Sequence, residues 1–293
     1  MTAAQSSQPA LSGIGVIGCG LMGSGIAEVF ARAGHRVVVH EVDTRAADRG
    51  RRRIATSLDR AVSAGKIARG DADTALSCIE VGTDLDAVAE VDLCIEAANE
   101  DEALKVDLFR RLDQIIKSDT AILASNTSSV PIMKLGTVTQ RPEYVIGLHF
   151  FNPVPVLPLV EIVPSLLTSP EVKNGVQRLV ETELGKTVIH SQDRAGFIVN
   201  ALLVPYILSA VRMLESGFAS AEDIDAGIVN GCAHPMGPLR LADLIGIDTV
   251  AAIADSMYTE FKEPLYAPPP LLLRMVDAGL LGRKNGHGFY GYH

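Results

Sequence analysis

Apolar residues follow two different rhythms along this chain. Short, mainly apolar stretches at 14–17, 36–39, 93–95, 121–124, 145–148 and 159–163 predict buried strands. Between them, 26–33 and 103–116 repeat apolar positions at helical spacing, and a further helix carrying Arg49, Arg51, Arg52 and Arg53 extends towards Lys66. Short apolar strands alternating with helices predict a sheet covered on both faces. From about Asp193 the strand rhythm stops, and 197–214, 221–230, 238–245 and 248–261 read as helices. Two domains follow, residues 1–191 and 192–293. The helical one is too thin to bury every apolar face by itself, which predicts a homodimer.

The first strand leads into Gly18-Cys19-Gly20-Leu21-Met22-Gly23 and then into the first helix. In a strand-turn-helix, Gly18 permits the tight turn, Gly20 lets a pyrophosphate approach the amides of the helix start, and Gly23 allows close packing of helix on strand. Glu41 falls at the end of the second strand, about 20 residues on, where a carboxylate accepts from both ribose hydroxyls and repels a 2′-phosphate. NAD is therefore expected over NADP. Asp43 is the rival acid. The fold class is α/β, a Rossmann-type doubly wound sheet followed by an all-α C-terminal domain.

Further candidates sit at later strand ends, where such sheets bind ligands. Glu100 and Lys105 follow the 93–95 strand and are placed to meet a nicotinamide. Ser128 lies in the Ser/Thr/Asn cluster after the 121–124 strand, as a hydroxyl for a carbonyl or alcohol oxygen. His149 ends the next strand. Pro153, Pro155 and Pro158 make the link to 159–163 an extended, stiff connection, so that Glu161 comes within reach of His149. A carboxylate on one ring nitrogen fixes the tautomer and leaves the other nitrogen to exchange a proton with substrate. A core histidine satisfied by a buried acid fits the pair equally well when it is taken alone. In the C-terminal loop 282–290, Lys284 is placed to reach an anion.

Composition narrows the classes. At 293 residues with 47% apolar content the chain is large enough for two cores. A net charge of -9 disfavours nucleic acid and anionic membranes as partners. No apolar run reaches about 18 residues, and the tail MTAAQSSQPA has no cationic start or apolar stretch, so a cytoplasmic protein is expected. Cys19, Cys78, Cys94 and Cys232 lack CxxC spacing; buried thiols are expected, with no zinc or other metal site.

The stretches GCGLMGSGIAEVFARAGH, ILASNTSS, GLHFFNPVPVLPLVEIV, GFIVNALLVPY, HPMGPLRLADLIGID and GRKNGHGFY together resemble the 3-hydroxyacyl-CoA dehydrogenase family, in particular its bacterial 3-hydroxybutyryl-CoA branch. The resemblance implies reversible hydride transfer between NAD and the 3-carbon of an acyl-CoA. It makes His149 the acid/base with Glu161 as partner, and sets Ser128 and Asn200 around the substrate oxygen and the histidine. It gives the cofactor Leu21 and Met22 with the glycines, Glu41, Glu100, Lys105, Ser128, Asn152 and Lys284. It gives CoA Ser57 and Lys66 beside Ser128; Ala64 occupies the register of the family's CoA lysine, and Lys66 follows two residues later. A dehydrogenase of a sugar acid or other hydroxy acid without CoA would use the same constellation, and a non-catalytic NAD-binding structural protein would retain only part of it.

Overall fold

The computed structural model describes residues 13–292; the N-terminal tail and His293 lie outside the described residues. The chain divides into two compact units, Met1–Asp193 and Arg194–His293.

The first unit runs β1 (Ile14–Ile17), α1 (Leu21–Arg32), β2 (Val37–His40), α2 (Thr44–Ser63), α3 (Arg69–Ser77), β3 (Ile79–Gly82), β4 (Leu93–Glu96), α4 (Glu102–Ile115), β5 (Ile122–Ser125), α5 (Ile132–Gly136), β6 (Val145–Phe150), β7 (Leu159–Pro164), α6 (Pro170–Arg178) and β8 (Thr187–His190). These strands form one sheet in the order β3-β2-β1-β4-β5-β6-β7-β8. From β3 to β6 neighbours are parallel, β7 turns antiparallel to β6, and β8 runs parallel to β7. The order reverses between β1 and β4, which opens a crevice at their carboxyl ends.

Central strands are the apolar ones. Every residue of β1, β4 and β6 is buried, whereas β3 and β8, at the two edges, are mostly half-exposed. Helix α1 is buried without interruption from Gly23 to Ala31, since it packs on the sheet with one side and on α2 and α3 with the other. The link between β6 and β7 is not the extended connection its prolines suggest: Val156 and Leu157 both donate to the Pro153 carbonyl and close a turn. Prolines lack the amide that a turn receives from its far end, but Pro153 still offers its carbonyl.

The second unit consists of α7 (Val199–Glu215), α8 (Ala221–Cys232), α9 (Pro238–Ile245), α10 (Ile247–Phe261) and α11 (Pro270–Asp277) around a core that includes Ile207, Leu208, Val211, Ile247 and Met257. Phe197, expected to open α7, instead has φ 47°, so the helix begins after it and Asn200 is its second residue. The C-terminal segment is fixed by a buried acid: Asp243 accepts from the Phe289 and Tyr290 amides and from the Tyr292 hydroxyl. Asp225 likewise accepts from the Leu239 and Arg240 amides at the start of α9 and from the Tyr290 hydroxyl. All four thiols are free, but only Cys19 and Cys94 are buried; Cys78 is half-buried and Cys232 exposed, because α8 ends at the surface there.

Candidate active site

The glycine turn after β1 has the shape its residues demand. Gly18 has φ 95°, and a Cβ there would stand 2.8 Å from the Ala97 carbonyl oxygen. At Gly23 a Cβ would lie 1.9 Å from the Gly18 carbonyl oxygen, so helix and turn touch backbone to backbone. Gly20 is different: a Cβ there meets nothing within 4 Å, and as the N-cap of α1 it gives the helix no side-chain cap. The uncapped amides of α1 and the open space above Gly20 together make an anion cradle.

Glu41 closes the other side of that turn. Its Oε1 accepts from the Cys19 amide at 2.6 Å and its Oε2 from the Val42 amide at 3.1 Å, which holds the carboxylate beside the glycines at the end of β2. Asp43 is engaged otherwise, as the N-cap of α2 accepting from Ala46 at 2.7 Å. The Cys19 thiol is pushed up to about 11 by burial and by the Glu41 charge, so it stays protonated within the turn. Open cradle and terminal carboxylate fit an adenine dinucleotide.

At the exits of β4 and β5 lies a buried ionic cluster. Lys105, 1% exposed on α4, places its Nζ 2.6 Å from Glu96 and 3.1 Å from Glu100. Glu96 also accepts from the Ser125 hydroxyl at 2.6 Å and from the Ala98 amide. Glu100 gathers the loop after β5, accepting from the Thr127 hydroxyl and from the amides of Ser128 and Ser129. Burial alone would raise the Glu100 carboxyl, but the Lys105 charge and these hydrogen bonds hold it below its ordinary value. Lys105 therefore acts on the Ser128 loop through Glu100, and its own ammonium faces two carboxylates.

The antiparallel pairing of β6 and β7 sets His149 directly opposite Glu161. Nδ1 of the histidine is 2.7 Å from Oε2 of the glutamate, and both side chains are buried. The Phe151 ring packs edge-on against the imidazole. Asn126, after β5, accepts from the Phe150 amide at 2.9 Å and so ties the Ser128 loop to the histidine strand. Beyond, Asn152 lies exposed at the head of the proline turn, whose Val154 and Leu157 carbonyls are both held by the Lys186 ammonium, at 2.7 and 2.8 Å.

Between α1, α2 and this turn lies a cleft of about 560 Å³ that includes Ser57, Asn152, Arg49, Arg52, Arg53 and Arg60 in its walls. Lys66 is exposed past the end of α2 and is not among the cleft residues. In the second unit, Asn200 is buried in the first turn of α7, and the Lys284 ammonium is bonded to the Asp248 carboxylate.

The chain matches the model of the 3-hydroxyacyl-CoA dehydrogenase NAD-binding domain over residues 13–194 and that of the same enzymes' C-terminal domain over 196–292. It belongs to the 3-hydroxyacyl-CoA dehydrogenase family. A 3-hydroxybutyryl-CoA dehydrogenase of Mycobacterium tuberculosis is 56% identical over 97% of this chain and 99% of its own. The mitochondrial hydroxyacyl-coenzyme A dehydrogenase of Sus scrofa is 41% identical over 99% and 95%. Among solved structures, M. tuberculosis FadB2 superposes with a TM-score of 0.95 at 55% identity, covering 97% of this chain and all of that one. The (S)-3-hydroxybutyryl-CoA dehydrogenase PaaH1 of Ralstonia eutropha gives 0.90 at 43%, with the same coverage.

Family membership makes the chain an NAD-dependent oxidoreductase, with the glycine turn and Glu41 at the head of its NAD-binding domain. Several groups around the site escape a reading of the sequence. Asn126, Thr127 and Lys186 act by fixing backbone, and a polar residue beside a strand end carries no mark of that duty. Glu28 resembles an ordinary polar position of an amphipathic helix, and only the burial of α1 on all sides sets it apart.

Proposed function

We propose that this enzyme interconverts (S)-3-hydroxybutyryl-CoA and acetoacetyl-CoA, with His149 as acid/base and Glu161 as its orienting partner. The observation that carries the reading is the 2.7 Å bond between His149 Nδ1 and Glu161 Oε2 at the carboxyl end of β6, on the side of the sheet where ligands bind. The substrate is taken from the names of the M. tuberculosis and R. eutropha relatives. When bound, NAD supplies the hydride acceptor and, reduced, the donor.

The residues divide the remaining work. Glu161 engages Nδ1, which assigns proton exchange to Nε2 and favours the imidazolium formed when the alcohol proton is taken. In the reducing direction the imidazolium returns that proton to the nascent alkoxide. Such acid/base work contributes about 10²- to 10⁴-fold in rate, and positioning of the reactants supplies much of the rest. Ser128, on a loop tied down by Glu100, and Asn200 are the proposed ligands of the substrate oxygen and the histidine. Asn152 is proposed for the nicotinamide end, Ser57 for CoA and Glu41 for the adenosine ribose. Leu202 and Phe218, 74% and 79% exposed on the helical unit, support a homodimer that would cover them.

Mixing the protein with NADH and acetoacetyl-CoA tests the reading directly. Loss of NADH absorbance is expected, and free CoA should compete. Turnover of a free 3-oxo acid without any response to CoA would overturn the substrate assignment.

A further inference from the structure

The cleft between α1 and α2 is cationic along its α2 wall, yet its α1 wall holds a carboxyl group. Glu28 is 1% exposed, and neither of its oxygens accepts a hydrogen bond of ordinary geometry. The Arg32 guanidinium, one turn along the helix, stands 3.5 Å away without the geometry of a hydrogen bond. From α2 the Ser57 hydroxyl faces the same carboxyl. An acid buried without well-formed hydrogen bonds is costly to the fold.

We propose that Glu28 is a positioning residue for the substrate's CoA arm: as a carboxylate it accepts a hydrogen bond from the Ser57 hydroxyl, and the Ser57 oxygen in turn accepts one from an amide N–H of the pantetheine. This rests on the acyl-CoA reading above. A hydroxyl has one proton and two lone pairs, so the group to which it donates decides what the hydroxyl presents elsewhere. The lining of the cleft suits the parts of the arm. Arginines line one part of it and match phosphates, while Asn152 and Pro153, three and four residues after His149, line another. Amides occupy the stretch of an acyl-CoA that joins phosphates to thioester, and Ser57 and Glu28 share this cleft with both.

The same arrangement makes the contact sensitive to pH. Burial raises the Glu28 carboxyl above its ordinary 4.5, against the Ser57 hydroxyl and the Arg32 charge, which lower it. The other charged groups around it are Arg49, Arg52, Arg53 and Arg60 from α2, and Lys186, which feels Arg32 and holds the proline turn. Once protonated, Glu28 donates to Ser57, whose own proton then turns into the cleft and meets the arriving amide donor to donor. Binding of the arm therefore weakens as pH falls.

The test is the dissociation constant, by calorimetry on the full chain, for acetyl-CoA and for acetyl-pantetheine, neither of which has a 3-oxo group to reduce. For the wild type both constants should rise about tenfold from the alkaline to the acid limb, the difference between a charge-assisted and an opposed hydrogen bond. In Glu28→Gln and in Ser57→Ala that rise should disappear while NAD affinity stays unchanged; Glu28→Gln is isosteric and sheds a buried charge, and Ser57→Ala carries the test should it fail to fold. Parallel pH profiles in wild type and either variant would overturn the proposal. So would a rise seen with acetyl-CoA and absent with acetyl-pantetheine, which would assign it to the arginines and phosphates. A wild type that reduces acetoacetyl-CoA but binds these ligands independently of pH refutes this inference alone, whereas failure to reduce acetoacetyl-CoA refutes the function itself.

Discussion

Replacing Glu161 by Gln leaves shape nearly unchanged and removes one charge from the bottom of the site. Glu161 is 0% exposed and sits across from His149 in the strand ladder, so neither water nor a side-chain swing replaces what is lost. A hydrogen bond to a charged group contributes about 1.5–3 kcal/mol. If the imidazolium of the transition state relies on this one, at about 1.4 kcal/mol per factor of ten kcat falls roughly 10- to 150-fold. Removing the proton carrier altogether, in His149→Ala, should cost more, within about 10²- to 10⁴-fold. The assay is NADH oxidation at saturating acetoacetyl-CoA, with NADH affinity measured separately. That affinity should not move, because the glycine turn and Glu41 belong to other strands. A Glu161→Gln enzyme with wild-type kcat would refute the assignment, and so would a loss found wholly in KM for NADH.

Three further outcomes are expected. Lys105→Met strips the shared cation from Glu96 and Glu100, and breaking a buried pair of this kind costs about 3–5 kcal/mol, to be read as a lowered thermal midpoint; an unchanged midpoint would mean that Lys105 contributes nothing to the fold. Gly23→Ala should yield little folded protein, because its Cβ would stand 1.9 Å from the Gly18 carbonyl oxygen. Gly20→Ala, with open space around it, should fold normally and bind NAD more weakly, and equal behaviour of the two variants would contradict the backbone contact. Glu28→Gln should raise the thermal midpoint at neutral pH. The folded carboxyl titrates above 4.5, so the wild type loses stability as pH rises through that window, and the advantage of the variant should close as pH falls below 4.5.

The parts of the fold legible in the sequence are those whose burial is symmetrical. β1, β4 and β6 are covered on both faces and read as plain apolar runs. β3 and β8 escape because an edge strand presents mixed surroundings, and Ile-Glu-Val-Gly and Thr-Val-Ile-His show no sustained period. The pairing of His149 with Glu161 was within reach because alternation along two adjacent strands offers few registers. Lys105 was not, since a lysine on an amphipathic helix ordinarily marks the wet side, and its burial depends on carboxylates delivered by β4 and the segment after it. Lys284 reads as a free cation of a glycine-rich loop; its partner Asp248 is 36 residues away, on α10.

Because the two members of the proposed proton relay are rungs of one ladder, their spacing is a property of the backbone and owes nothing to the hairpin that joins them. Insertions or deletions in the proline turn would re-contour the mouth of the site while leaving the imidazole and carboxylate in register. Remodelling that turn is thus a route by which the cleft beside it can change shape without disturbing the pair.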